Sequence, residues 1–157
     1  MSTRCNVRPT ALLEGRVGFA IVDGVGIMIM AVDTWTDSDV IRLMQDSSRL
    51  GNRVTAAANI SHFYGNIFNA NQRKLIVEWL AQENIAPSPR NATLTDSRIM
   101  RAALTAYSWL TKTETKAFLP TDRDGVSMWA AINTTAQPAA IKTAMEACYR
   151  LVNKTPP

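Results

Sequence analysis

The chain has 157 residues, of which 46% are hydrophobic and 19% charged. This length corresponds to one domain that buries roughly 68–70% of its unfolded surface, and this composition excludes wholesale disorder. The net charge is +4, from 17 basic and 13 acidic residues, but these basic residues are neither clustered nor interleaved with aromatics, so nucleic acid is not an expected partner.

Residues 1–15 are predicted to form a flexible N-terminal tail. The apolar run Ala11–Leu13 is followed by Glu14 and is too short for a secretory signal, so a cytoplasmic location is expected. Cys5 and Cys148 lack CxxC spacing and are expected to be reduced thiols that bind no metal.

A β-hairpin is predicted next, because the apolar runs Val17–Val22 and Val25–Val32 flank the pair Asp23-Gly24. This pair readily takes the positive φ angles of a type I′ turn. The hairpin segment contains Asp23 and is shorter than the roughly 20 apolar residues of a membrane-spanning helix, so no membrane span is expected.

Beyond the hairpin, helices and strands are predicted to alternate. A helix capped within Thr36–Asp39 precedes a strand over Val54–Ile60, and Ser61–Ala70 is predicted to be a loop. The later predictions are a helix over Asn71–Glu83, a strand over Ala92–Thr95, a helix capped by Thr95–Ser97, a strand over Ala117–Leu119, a helix capped within Thr121–Asp124, and a last helix from Pro138.

The predicted fold class is α/β, with a five-stranded mixed sheet in the order 1-2-3-4-5. One helix separates each pair of later strands, which favours right-handed crossovers and parallel neighbours. The predicted domain organisation is the tail, one α/β domain over 16–135, and a C-terminal helix and tail over 136–157 packed on that domain.

Four short motifs accompany this order of elements. They are Asn71–Lys74 at a helix start, Leu94–Ser97 leading to Arg101, Thr105-Ala106 with Trp109, and Ala117–Pro120. With them, the segment Arg16–Thr135 resembles the STAS-like domains, in particular bacterial STAS-like proteins that lack the usual phosphorylation motif.

This resemblance implies a non-enzymatic regulatory module related to sigma-factor antagonists, with a kinase-like or other signalling protein as its partner and a homodimer as a further possibility. In partner-switching members, a hydroxyl at the start of the second helix is phosphorylated. The matching segment Phe68–Gln72 contains no hydroxyl, and Ser61 is the alternative position.

An enzyme is the least favoured interpretation. His62 is the only histidine, and its neighbours Ser61 and Tyr64 give a hydrolase-like set of side chains. Residues adjacent in sequence seldom face one another, however, and no Gly-x-Ser-x-Gly motif is present. No catalytic residue, metal or cofactor is therefore predicted.

The carboxyl-end loops of the strands are predicted to be the functional surface. Trp79, Trp109 and Trp129 match the apolar stripes of their helices and are expected in the core, whereas Trp35 lies in a loop. Trp35 is expected to form one aromatic patch with Phe63, Tyr64 and Phe68. The predicted partner- or ligand-binding residues are Trp35, Ser61, His62, Phe63, Tyr64, Asn69, Asn71 and Asp96. The alternative to a protein partner is a small molecule, a lipid or a nucleotide, bound at the same loops.

Overall fold

The computed structural model describes residues 5–157. Six strands form one sheet: β1 (Val7–Leu12), β2 (Val17–Val22), β3 (Val25–Met30), β4 (Ala58–Phe63), β5 (Arg90–Leu94) and β6 (Glu114–Phe118). Five helices accompany them: α1 (Asp37–Leu50), α2 (Ala70–Gln82), α3 (Arg98–Thr111), α4 (Arg123–Ala131) and α5 (Pro138–Leu151).

The strands are arranged in chain order from β1 to β6. Strands β1, β2 and β3 pair antiparallel, and β3 to β6 pair parallel. The prediction of a mixed sheet in an α/β fold is confirmed. Asp23 and Gly24 join β2 to β3 with φ angles of 45° and 86°, both positive as a type I′ turn requires.

The sheet has six strands rather than the expected five. The additional strand is β1, which lies within the segment predicted to be a flexible tail. Val7–Leu12 pairs with β2 and places Leu12 in the core, so the tail prediction is wrong for this segment. Residues 1–4 of the predicted tail lie outside the described residues. The C-terminal helix α5 packs on β1, β2 and β3.

Strand β4 begins and ends later than predicted, so Ser61, His62 and Phe63 belong to a strand rather than a loop. Ala58, Ile60 and His62 alternate with more exposed residues, as expected of a strand with a period of two. At the C-terminal end of α1, Gly51 has a φ of −82°, whereas Asn52 and Arg53 take positive φ angles.

The two faces of the sheet differ in chemistry. Towards α4 and α5, the strands present apolar side chains that form a closely packed core, including Ile27, Ile60 and Leu94. A second core lies between β1–β3 and helices α1 and α2, around Phe19, Leu43 and Ile76. Helix α3 contributes no buried residue.

Helix α5 approaches β2 closely at Gly18. A Cβ atom at this position would lie 2.4 Å from the backbone oxygen of Cys148. A glycine is therefore needed for α5 to seat against the sheet.

Candidate functional site

His62 is buried beneath α5, in contact with two tyrosine rings. Its Nδ1 atom is 2.7 Å from Oη of Tyr149, and its ring stacks on that of Tyr64 with centroids 4.4 Å apart. Burial lowers the pKa of His62 to about 4 and raises the pKa of Tyr149. The imidazole is therefore neutral at physiological pH. Among the described residues, no carboxylate hydrogen-bonds this ring.

Trp35 packs on the other side of the sheet. Its ring contacts Phe68 at a centroid distance of 4.8 Å, and Phe68 contacts Phe63 at 5.1 Å. The backbone oxygen of Trp35 accepts a hydrogen bond of 2.8 Å from Gln72. Trp35 is only 5% exposed, so this aromatic group belongs to the core.

The expected single aromatic patch is therefore divided between the two faces. Trp35, Phe63 and Phe68 come together, whereas Tyr64 lies with His62 and Tyr149, where Lys154 Nζ is 4.8 Å from the Tyr64 ring centroid. The expected roles of the tryptophans are also partly reversed. Trp129 is buried as expected, but Trp109 is 80% exposed.

The polar rim residues lie at the carboxyl end of the parallel strands. Asn69 caps α2 in a reciprocal arrangement with Gln72, Asn71 is exposed in the first turn of that helix, and Asp96 is exposed just before α3. Tyr64 is 38% exposed nearby in the chain, after β4. Asn69 has a clear structural role, because its side chain accepts from the Gln72 amide.

A cavity of about 240 Å³ lies between the sheet and helices α1, α2 and α3. Its walls are mostly apolar, with Met44 from α1, Ile76 and Trp79 from α2, and Leu104 and Tyr107 from α3. Two of the predicted site residues, Ser61 and Phe63, line it. Sequence reasoning did not find this cavity.

The floor of the cavity is a polar part of the sheet. Two rows of paired residues cross the parallel strands: Gly26, Asn59, Asn91 and Thr115 form the first, and Met28, Ser61, Thr93 and Ala117 form the second. Nearly all of these residues line the cavity. Asn59 Nδ2 lies 3.5 Å from Asn91 Oδ1, and Asn91 Nδ2 donates to the Ser88 oxygen at 3.0 Å.

Two hydroxyl groups among the residues that line this cavity have no hydrogen-bond partner in the described part of the chain. They are Ser48 Oγ and Thr115 Oγ1, and both are buried. Ser47, beside Ser48, instead donates to the Leu43 oxygen at 2.6 Å. Buried polar groups without partners are rare in proteins and typical of sites that meet water or a ligand.

The charges around the cavity are one-sided. Arg53 and Arg73 line it, and none of its lining residues in the described part of the chain is acidic. Both arginines have partners: Arg53 pairs with Glu83 at 2.8 Å, and Arg73 donates to the Phe68 oxygen at 2.6 Å. A cationic group would find no counter-charge in this cavity.

The sequence did contain a signal for the cavity floor. On the cavity side of β4, β5 and β6, five of the seven alternate residues are Asn, Ser or Thr, the others being Phe63 and Ala117, while the intervening residues of β4 and β5 are mostly apolar. In a sheet with one solvated face this alternation is ordinary. Only the prediction that helices cover both faces would have placed these polar residues beneath helices, where Thr93 is buried and the others are half-buried.

No family model, curated protein or solved structure matches this chain. The resemblance to STAS-like domains therefore stays a prediction. Within residues 5–157, every helix is too short or too polar to cross a bilayer.

Proposed function

We propose that this protein is a non-catalytic binding module that holds a small, largely apolar molecule in the cavity between the sheet and helices α1, α2 and α3. The guest would carry a neutral hydrogen-bonding group. This proposal keeps the small-molecule alternative inferred from the sequence and moves the site from the strand-end loops to the space between the sheet and these helices.

The polar floor is the observation that carries the proposal. Asn59, Asn91, Ser61, Thr93 and Thr115 lie under helices, although apolar residues there would give a better-packed core, as on the α4 and α5 side. Burying an unpaired hydroxyl, as at Thr115, costs about 1–3 kcal/mol. A fold that accepts this cost at a cavity is best explained by a ligand that completes the hydrogen bonds.

The walls and charges favour a neutral amphipathic guest. The helices supply apolar side chains, the floor supplies amides and hydroxyls, and the two lining arginines already have partners. A medium-chain alcohol is a suitable probe of this class, because its tail fits the walls and its hydroxyl matches the floor. An alkylammonium of equal length would bury its charge without a carboxylate.

Calorimetric titration with decan-1-ol and with decylammonium tests the proposal. We expect decan-1-ol to bind at least about tenfold more tightly, since an unpaired buried cation is costly. Absence of heat and of thermal stabilisation with decan-1-ol would contradict the proposed function. Equal binding of both probes would point to a surface effect and would also contradict it.

Two neighbouring serines provide a matched pair for the same titration. Ser48→Ala removes a hydroxyl without a partner, whereas Ser47→Ala removes one that is bonded to its own helix. We expect Ser48→Ala to weaken decan-1-ol binding about fivefold, the value of one hydrogen bond. Ser47→Ala is expected to leave it nearly unchanged. The reverse order would contradict the assignment of Ser48.

Protein interaction through the carboxyl-end rim is a second candidate function, in the manner of a signalling adaptor. Its support is that Tyr64, Asn69, Asn71 and Asp96 are all exposed where the parallel strands end. Tyr64→Ala and Asn71→Ala should weaken such binding and leave decan-1-ol binding intact, so the two functions are separable. We do not propose catalysis by His62, because its buried ring contacts Tyr64 and Tyr149 rather than a nucleophile and an acid.

A further inference from the structure

Strand β6 is an open edge of the sheet. It pairs with β5 alone in the described part of the chain, and it has neither a proline nor an irregular register. The opposite edge is different: β1 contains Pro9 and has a register shift between Val7 and Thr10. Prolines and bulges block the pairing of edge strands, so only β1 is protected in this way.

The backbone of β6 offers free hydrogen-bonding groups at two residues. Glu114 N–H donates to the Pro89 oxygen and the Phe118 oxygen accepts from Thr95, which fixes the even-numbered residues of β6 as facing β5. Because bonding directions alternate along a strand, the N–H and C=O groups of Thr115 and Ala117 point outward. These groups can accept another strand.

We propose that β6 pairs antiparallel with β6 of a second copy of this chain, around a two-fold axis at Thr115. The two sheets would then be continuous, with Thr115 opposite Thr115 of the partner. This inference is independent of the proposed ligand binding.

Charge complementarity selects this register. With the axis at Thr115, Glu114 of each copy lies opposite Lys116 of the other, in the closer type of antiparallel pair. Moving the register by one step in either direction places Glu114 opposite Glu114, or Lys116 opposite Lys116. Both side chains are exposed in the single chain. Two copies of β6 therefore place opposite charges together in the register centred on Thr115, and like charges together in the two neighbouring registers.

One further observation fits the same occupant. Helix α3, which packs beside β6, exposes Ile99, Trp109 and Leu110. A two-fold axis perpendicular to the sheet would place both α3 helices on the same side of the joined sheets, where such residues can be covered.

Sedimentation velocity across a concentration series tests the proposal with a charge swap. We expect the wild type to form dimers, and we expect Glu114→Lys and Lys116→Glu each to weaken dimerisation about tenfold by placing like charges opposite. The double variant Glu114→Lys/Lys116→Glu should restore it. Glu114 also contacts Arg90 in its own chain, at 3.4 Å. The double variant does not restore the pair with Arg90. Recovery of dimerisation in this variant therefore reports the charge pair between the two copies.

A proline variant distinguishes a dimer formed through the β6 edge from dimers formed elsewhere. Thr115→Pro removes an outward N–H that β5 does not use and should abolish the dimer while the circular dichroism spectrum stays native. A wild type that stays monomeric at 200 µM overturns the proposal, as does a dimer that survives Thr115→Pro. A dimer lost in Thr115→Pro but insensitive to the charge swap overturns the charge-matched register.

Discussion

His62 shows how the environment of one residue decides its chemistry. The ring is enclosed by Tyr64 and Tyr149 beneath α5, and its one hydrogen-bond partner in the described residues is Oη of Tyr149. Burial disfavours the imidazolium, so the proton is released well below the ordinary pKa. The residue therefore contributes to packing and hydrogen bonding in this region.

This arrangement makes the stability of the fold depend on pH. The pKa of His62 is about 4 in the folded chain, against an ordinary 6.5. The unfolded chain therefore binds the proton first as the pH falls. The stability contributed by the neutral ring is fully present above pH 6.5 and is lost progressively towards pH 4.

Urea unfolding at pH 7.5 and at pH 4.5 measures this loss. At about 1.4 kcal/mol per pKa unit, we expect the wild type to lose on the order of 2 kcal/mol more than His62→Gln over this range. The glutamine variant controls for the carboxylates, which titrate in both proteins. Identical losses in the two proteins would show that His62 is already solvated in the folded chain.

At the residue scale, the sequence identified His62 as the only histidine but did not predict that it lies in a strand and faces the core beneath α5. A helix over Asn71–Glu83 and a strand ending at Ile60 left Ser61–Tyr64 as an apparent loop. The strand continues to Phe63 because Ile60 and His62 both point into the α5 core, where His62 finds Tyr149. That partner is distant in sequence, so no local pattern identifies it.

At the scale of elements, the contact between β2 and α5 depends on one missing side chain. The Gly18 Cα faces the backbone of Cys148, and both residues are buried. A methyl group there would overlap the backbone oxygen, which cannot move aside without displacing α5.

Gly18→Ala is therefore expected to lower the free energy of unfolding by about 2–3 kcal/mol, the cost of overpacking a core. Urea unfolding measures it. Gly51→Ala is the milder control, because its added Cβ would lie 3.1 Å from the flexible end of Ile21 and 3.3 Å from the Ser47 oxygen, and its φ is ordinary. Equal effects of the two substitutions would mean that α5 does not pack as described.

The elements were predicted best where local chemistry is strong. The turn at Asp23-Gly24, the capping of α1 by Thr36 and the start of α5 at Pro138 were identified from the residues themselves. Strand β1 was missed because Pro9 and Arg8 interrupt its apolar pattern. An edge strand tolerates both, and its partner β2 supplies the hydrogen bonds.

At the scale of the whole molecule, the sheet has one face devoted to packing and one that combines packing with a cavity. The order of the strands followed from the alternation of elements. The cavity did not, because it arises where α3 lies over the sheet without burying a residue. The cavity is lined by three helices that are distant in sequence, so no single segment of the sequence predicts it.

Filling this space tests whether it is a binding site or a packing defect. Ser61 points into the cavity from the central strand β4. In Ser61→Leu, the larger apolar side chain should raise the free energy of unfolding by about 1 kcal/mol, as cavity-filling substitutions commonly do. Ser38→Leu, at an exposed position of α1, serves as the control for added hydrophobicity.

The decisive measurement is calorimetric titration of decan-1-ol into wild type, Ser61→Leu and Ser38→Leu. The account predicts that Ser61→Leu loses binding while its stability is retained or increased, and that Ser38→Leu binds like the wild type. Undiminished binding by a stably folded Ser61→Leu would contradict the cavity as the site.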